Sequence, residues 1–168
     1  MIRKIFVKIL LFIFVFLNFS TAEEIKKVGK FKDWETVVYI NGVNKICFAQ
    51  TKPVLQSPKN LEREARLYVS FRPKDNIVDE VSTTSGYDYN IQNTVSAKSG
   101  KSNYKFDLKQ EAFAWIADNK IEKRIISTMK KASRIMVTGY NKEGSQTIDH
   151  YSLMGFTKAY GAAKKSCI

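Results

Sequence analysis

His150 is the only histidine in the chain, so any Ser-His-Asp hydrolase mechanism has to use it as the general base. Asp149 and Ser152 lie close to it in sequence. The segment is predicted to be a β-strand, where adjacent side chains point to opposite faces, so Asp149 is not placed to orient His150. No turn of the nucleophile-elbow type exposes a serine nearby. We interpret His150 as an ordinary sheet residue, and a small hydrolase that depends on it is the least favoured alternative.

Other residue patterns that support chemistry are missing or poorly arranged. Asp79 and Glu80 are adjacent carboxylates, which on a strand do not converge as an acid and a base. Cys47 and Cys167 form no Cys-x-x-Cys redox motif, and two cysteines with one histidine are too few for a four-cysteine or three-histidine zinc site. Neither of the glycine-rich phosphate-binding patterns occurs. The sequence therefore predicts no catalytic residue, metal site or cofactor, and a protein that is not an enzyme.

The first 22 residues have the three parts of a secretory signal peptide. Three basic residues precede an apolar run over 9–17, and Ser20 and Ala22 suit the −3 and −1 positions of a signal peptidase site. The run is shorter than the ~20 residues that cross a bilayer. Cleavage is predicted between Ala22 and Glu23, which leaves no transmembrane span. An uncleaved anchor is the alternative.

Composition and charge narrow the class of protein and of partner. The chain has 168 residues, of which 44% are hydrophobic and 26% charged, as in a folded single domain. Without residues 1–22 it keeps 25 basic and 16 acidic residues, a net charge of +9. In an exported protein this charge favours anionic lipids, envelope polymers or acidic protein surfaces as partners, and nucleic acid is not expected.

Alternation of apolar and polar residues with a period of two predicts several short strands. It is clearest over 66–72, 104–109 and 134–140, and the last of these is predicted to form a hairpin with 145–152 through a turn that contains Gly144. Short strands joined by turns pair in the antiparallel direction. The sequence predicts a mainly β (β-rich α+β) single domain, either an antiparallel β-sandwich or a barrel-like sheet.

Two segments have helical periodicity instead. Residues 119–122 have capping-box spacing, and Ile121, Ile125 and Met129 then follow at four-residue intervals, which predicts an internal helix ending near Lys131. A second helix is predicted at the C-terminus, where one apolar stripe contains Phe156, Ala159, Tyr160, Ala163 and Cys167.

The two cysteines are expected to form a disulfide bond. Cys47 lies in a short apolar segment with strand character and is the only possible intramolecular partner of Cys167. Two inward-facing thiols on one small exported domain are expected to pair in an oxidising compartment. Closing a loop of ~100 residues stabilises a fold by roughly 4–5 kcal/mol on the loop-entropy model. Two separate buried thiols are the alternative that the sequence leaves open.

Basic residues are spread along the chain, which is typical of a solvated surface. Residues 23–30 are interpreted as a basic, solvated lead-in to a folded domain over 31–168. The internal helix and the residues after it are denser in cations and are a candidate basic surface patch. The patch consists of Lys120, Lys123, Arg124, Lys130, Lys131 and Arg134.

Several short strings occur in a characteristic order behind the signal peptide. They are Lys32-Asp33-Trp34, the nine residues from Lys45 to Pro53, Arg72-Pro73, the ten residues from Val78 to Tyr87, Ala114-Trp115, the five residues from Met129 to Ser133, and Tyr151-Ser152-Leu153-Met154-Gly155-Phe156-Thr157. The last string, with a cysteine about a dozen residues later, is the most specific. In these strings the chain resembles the invasion-associated locus B family of alphaproteobacterial envelope proteins, from about residue 30 to the C-terminus.

The resemblance implies a secreted β-rich protein, periplasmic or associated with the outer membrane, with no known cofactor and no established enzymatic activity. In some intracellular pathogens such proteins are associated with entry into host cells, so a role in host-cell interaction is implied only if the organism is a pathogen. Many relatives carry a cysteine shortly after the Asp-Trp pair, where this chain has Val38-Tyr39. That departure leaves Cys47 available for Cys167.

We therefore expect an exported, non-enzymatic envelope protein that binds an envelope protein or an anionic envelope component. The alternative is a structural protein that maintains the envelope without a specific ligand.

Overall fold

Seven of the twelve strands form one antiparallel sheet and five form a second one in the computed structural model, which describes residues 23–168. The strands are β1 (Glu23–Phe31), β2 (Trp34–Asn41), β3 (Asn44–Thr51), β4 (Leu55–Ser57), β5 (Arg66–Arg72), β6 (Ile77–Thr84), β7 (Val95–Ser99), β8 (Ser102–Phe106), β9 (Leu108–Gln110), β10 (Phe113–Trp115), β11 (Arg134–Tyr140) and β12 (Gln146–Ser152). The helices are α1 (Asn119–Lys131) and α2 (Phe156–Cys167), with a 3₁₀ turn at Pro73–Asp75. Within the described range neither sheet closes into a barrel, so the predicted mainly β class is confirmed in its sandwich form.

The larger sheet has the strand order β1-β2-β3-β5-β6-β10-β9 and buries one of its faces. On β5, Leu67, Val69 and Phe71 are fully buried, while Tyr68 and Arg72 point to the other face and are half-buried. This confirms the period-two pattern, because alternate strand residues reach opposite faces of a sheet. The buried face packs against the second sheet and α2 around one continuous core.

The smaller sheet has the order β4-β12-β11-β7-β8. Its centre is the predicted late hairpin, in which Arg134 pairs with Ser152 and Tyr140 with Gln146. Gly144 lies in the turn with φ at +83°, a conformation that glycine adopts without the steric cost that a side chain adds. The hairpin prediction is therefore confirmed.

The two helices occur where the sequence predicts them, but α1 is capped by a different residue. The side chain of Asp118 accepts hydrogen bonds from the backbone N–H groups of Lys120 and Ile121. The expected capping box starting at Asn119 is wrong, because Glu122 turns inward to the sheet and does not bond back to the helix start. The first turn of α1 is therefore stabilised by the carboxylate one position earlier.

The folded region does not start near Phe31, because residues 23–30 are already part of the larger sheet. Residues 23–30, interpreted from the sequence as a solvated lead-in, belong to β1, which pairs with β2 along its whole length. Most side chains of β1 are exposed, as a lead-in would be, but the backbone is hydrogen-bonded into the sheet edge. A register shift between Lys27 and Gly29 interrupts the alternation that would otherwise indicate a strand.

Candidate functional site

The predicted disulfide bond between Cys47 and Cys167 is present. Cys47 is fully buried on the inner face of β3, and Cys167 is the last residue of α2. Their Cα atoms are 5.8 Å apart, within the usual range of ~4.4–6.8 Å, although the two residues are separated by 120 positions in sequence. The bond clamps the C-terminal helix onto an early strand, as the sequence analysis expects.

Non-covalent contacts hold α2 on the same surface. The hydroxyl of Thr36 donates to the backbone carbonyl of Ala159 at 2.8 Å, and the Trp34 and Phe156 rings meet edge to face with centroids 4.8 Å apart. The Tyr160 hydroxyl donates to Asp79 Oδ1 at 2.6 Å. Because these contacts reach β2 and β6, α2 is tied to the sheet along its length as well as at its end.

The aspartate and the histidine that a hydrolase mechanism would use lie on opposite faces of β12. Asp149 is fully buried on the inner face of β12, whereas His150 is half-buried on the opposite face. Asp149 accepts two hydrogen bonds from the guanidinium of Arg63, at 2.6 Å and 3.1 Å. Since that carboxylate is occupied by a cation and faces away from His150, it does not orient the imidazole.

Arg63 and Asp149 form a buried ion pair that no pattern in the sequence predicts. Their side chains are 5% and 0% exposed, and Arg63 also donates to the carbonyl of Ser85 at 2.7 Å. The Gln56 amide supports both partners, by donating to Asp149 and accepting from the Arg63 backbone. A buried ion pair needs such additional hydrogen bonds because desolvation of two charges is costly.

A second buried carboxylate, Glu122, connects α1 to the larger sheet. Strand β10 ends at Trp115, and beyond it the N–H of Val81 on β6 donates to Glu122 Oε1 at 2.9 Å. Helix α1 thus continues the hydrogen bonding of β6 where its neighbouring strand stops. Burial raises the pKa of Glu122 to about 7, and the nearby carboxylates of Glu80, Asp79 and Asp118 act in the same direction.

All six residues of the predicted basic patch are exposed. On α1, Lys120, Arg124 and Lys131 share one stripe, since they are separated by four and seven positions, and Lys123 and Lys130 share the adjacent stripe. The buried residues of the helix lie on its other side. Arg134 follows shortly after the end of the helix. The helix therefore presents its cations on a single face, which we call the basic face.

None of these six side chains forms an ion pair with any residue in the range 23–168. Lys130 alone has a specific interaction, with its Nζ 4.0 Å from the centroid of the Tyr160 ring. Elsewhere on the surface, Lys52, Arg66, Arg72 and Lys142 are matched by carboxylates. The basic face therefore carries a group of cations that no carboxylate of the described residues neutralises.

A β-sandwich whose C-terminal helix is joined to an early strand by a disulfide is typical of small domains that fold in oxidising compartments. The family model described as Invasion associated locus B (IalB) protein matches residues 34–164. The chain belongs to this family, which confirms the resemblance seen in the sequence strings. Its proteins are envelope-associated, and it is not a known enzyme family.

The comparison with curated proteins and the comparison with solved structures give no match. Neither α1 nor α2, the two α-helices of the described range, is long and apolar enough to cross a membrane. The predicted signal peptide and the residue before its cleavage site, Ala22, lie outside the described residues.

Proposed function

We propose that the protein is exported to the cell envelope, in the periplasm or at the outer membrane, and that it binds an anionic envelope component through the basic face without catalysing a reaction. The observation that carries the proposal is the set of six exposed cations on and next to α1, with no carboxylate partner among the described residues. A role in host-cell interaction is part of the proposal only if the organism is a pathogen.

The strength of the proposed binding depends on how many cations reach the anionic surface together. Each Lys or Arg close to an anionic surface contributes about 1 kcal/mol to association, and the contribution decays within a Debye length. Three to five cations on one rigid helix face act together because they approach such a surface at the same time. The shared chemistry of the partner is a dense array of phosphate or carboxylate groups, which both anionic phospholipids and lipopolysaccharide provide.

The direct test is binding of the mature chain to vesicles of phosphatidylglycerol and, in a second arm, to lipopolysaccharide, with phosphatidylcholine vesicles as the neutral reference. The variant Lys120→Gln/Arg124→Gln/Lys131→Gln removes three charges from the basic face and keeps good helix formers. We expect it to weaken binding by about a hundredfold, and we expect wild-type binding to fall steeply as salt is raised. The arm that binds identifies the source of the anion.

The matched control is Lys158→Gln/Lys164→Gln/Lys165→Gln, which removes three exposed lysines from α2. It should weaken binding by far less, because its charges lie on another helix. Equal losses in the two variants would show that only net charge matters, and binding in neither arm would overturn the proposal in favour of a structural role.

A further inference from the structure

Four aromatic side chains form a row across the outer face of the larger sheet. Phe48 on β3, Tyr68 on β5, and Phe113 and Trp115 on β10 follow one another with ring centroids 5.9, 6.2 and 5.7 Å apart. Each alternates along its strand with buried residues of the opposite face. We call this set the aromatic row.

The fold does not need these rings for its core. None of the four belongs to the buried core cluster, and the second sheet and α2 pack against the other face of the sheet. Phe113 is 39% exposed. Leu108 on β9, which pairs with Trp115 on β10, is 54% exposed. Large apolar side chains that are gathered on one exposed surface mark a contact site more often than isolated ones do.

At one end the aromatic row leads into a cleft of about 680 Å³ between β6, β9 and the start of α1. Trp115 and Leu108 form part of its wall, and Glu80, Gln110 and Glu122 contribute polar groups. Ligand pockets commonly have volumes of ~300–1,000 Å³ and combine aromatic walls with a few hydrogen-bonding groups. The cleft and the row together form one continuous surface.

Charges beside the aromatic row are neutralised within the protein. Arg66 pairs with Glu64 at 3.0 Å and Arg72 with Glu80 at 2.7 Å. Glu35 lies 3.8 Å from Lys27 Nζ and also accepts from the Gln50 amide at 2.6 Å. The cleft itself is lined by charges of both signs, the cation of Lys123 and the carboxylates of Asp79 and Glu122. Because the charges along the row are paired and those of the cleft are mixed, neither part favours a ligand of one sign, and we take the ligand to be uncharged.

We propose that the aromatic row and its cleft bind a neutral, β-linked polysaccharide. A pyranose whose hydroxyl groups are equatorial has two flat faces of axial C–H bonds and a rim of hydroxyls. The C–H faces fit the faces of aromatic rings, which carry partial negative charge, and the hydroxyl rim fits amide and carboxylate groups such as those of Gln110 and Glu80. Phe113 and Trp115 are inclined by only 24° and give the flattest part of the surface.

This proposal goes beyond the basic face, because it concerns the aromatic row and an uncharged ligand, and Lys123 is the one residue of the basic face that also lines the cleft. It is tested by titrating the mature chain with fully N-acetylated chitotetraose and cellotetraose, two neutral β-linked tetrasaccharides, and with maltotetraose, whose α-linkages curve the chain. We expect saturable binding of at least one β-linked tetramer and weaker binding of maltotetraose. Binding should also change the tryptophan fluorescence of the protein, and Trp115→Phe should remove that change.

Three variants locate the site. Trp115→Ala and Phe113→Ala should each reduce the association constant by about tenfold, and Trp115→Phe should retain most of it. Tyr140→Ala, which removes a half-buried aromatic ring from the outer face of the smaller sheet, should have no effect. The triple glutamine variant of the basic face should bind the tetrasaccharide normally, which separates this proposal from the previous one.

Absence of binding to both β-linked tetramers, or equal loss in Trp115→Ala and Tyr140→Ala, would overturn the proposal. Self-association of the mature chain that Trp115→Ala abolishes, without any saccharide binding, would assign the row to contact between two copies and would also overturn it.

Discussion

The two buried carboxylates differ in how their charges are compensated. Asp149 has a guanidinium beside it, whereas Glu122 has the backbone N–H of Val81 and three neighbouring carboxylates. The position of Asp149 on the inner face follows from strand alternation with Tyr151. The buried position of Arg63 does not follow from any such pattern. Arg63 lies in the polar segment 60–64, which looks solvated in the sequence, and only tertiary contacts bring its side chain into the interior.

Removing the cation of the buried pair should be strongly destabilising. We expect Arg63→Met to lower the free energy of unfolding by about 3 to 5 kcal/mol, because it leaves the Asp149 carboxylate buried without a partner. The double variant Arg63→Met/Asp149→Leu should recover much of the loss. Urea unfolding of the two variants and the wild type measures both values, and equal stability of Arg63→Met and wild type would contradict the role of the pair.

The raised pKa of Glu122 predicts a specific dependence of stability on pH. In the folded state the group takes up its proton near pH 7, and in the unfolded chain only near its ordinary value of 4.5. Between these values the folded state binds more protons, so this group increases the free energy of unfolding as the pH falls from 8 to 5. The increase is complete below the unfolded pKa.

Glu122→Gln isolates this contribution, because the amide oxygen still accepts from Val81 and does not titrate. We expect the variant to be more stable than the wild type at pH 8 and to approach it at pH 5. Denaturant unfolding of both proteins across this range gives the difference, and a difference that does not vary with pH would show that Glu122 titrates normally.

At the scale of elements, the strands and helices with regular apolar periodicity are the ones that the sequence predicts correctly. The strands around Leu67 and Val137 and both helices were predictable because their apolar residues repeat with a regular period. β1 was missed because its register shift breaks that period. The alternation over 104–109 predicts a single strand with Tyr104 and Leu108 on the same face, but the chain leaves the smaller sheet after Phe106, and Leu108 starts β9 in the other sheet with its side chain exposed.

The start of α1 provides a prediction at this scale. Asp118→Ala should lower the free energy of unfolding by about 1 kcal/mol, since it removes the acceptor for two N–H groups of the first turn. Asn119→Ala is the control, because Asn119 is exposed and would cap the helix only if the sequence-based capping box were present. Thermal unfolding of the two variants decides between the caps, and a larger loss for Asn119→Ala would contradict the structure.

At the scale of the whole molecule, the proposed export accounts for both the disulfide bond, which forms in an oxidising compartment, and the proposed binding of anionic envelope components. The family and the β-sandwich could be predicted from the sequence, because sequence strings and alternation are local signals. The aromatic row could not, because its rings stand on β3, β5 and β10, which are far apart in sequence and come within reach of one another only in the folded sheet, where β6 lies between β5 and β10. The basic face was recognisable because one helix carries most of it.

The most direct test of the account is intact-mass analysis of the protein from fractionated cells of its own organism, after denaturation in the presence of an alkylating reagent. We predict a chain that begins at Glu23, is found in the envelope or periplasmic fraction, and carries no alkyl group because Cys47 and Cys167 are joined. An unprocessed chain in the cytosolic fraction with both cysteines alkylated would contradict the account.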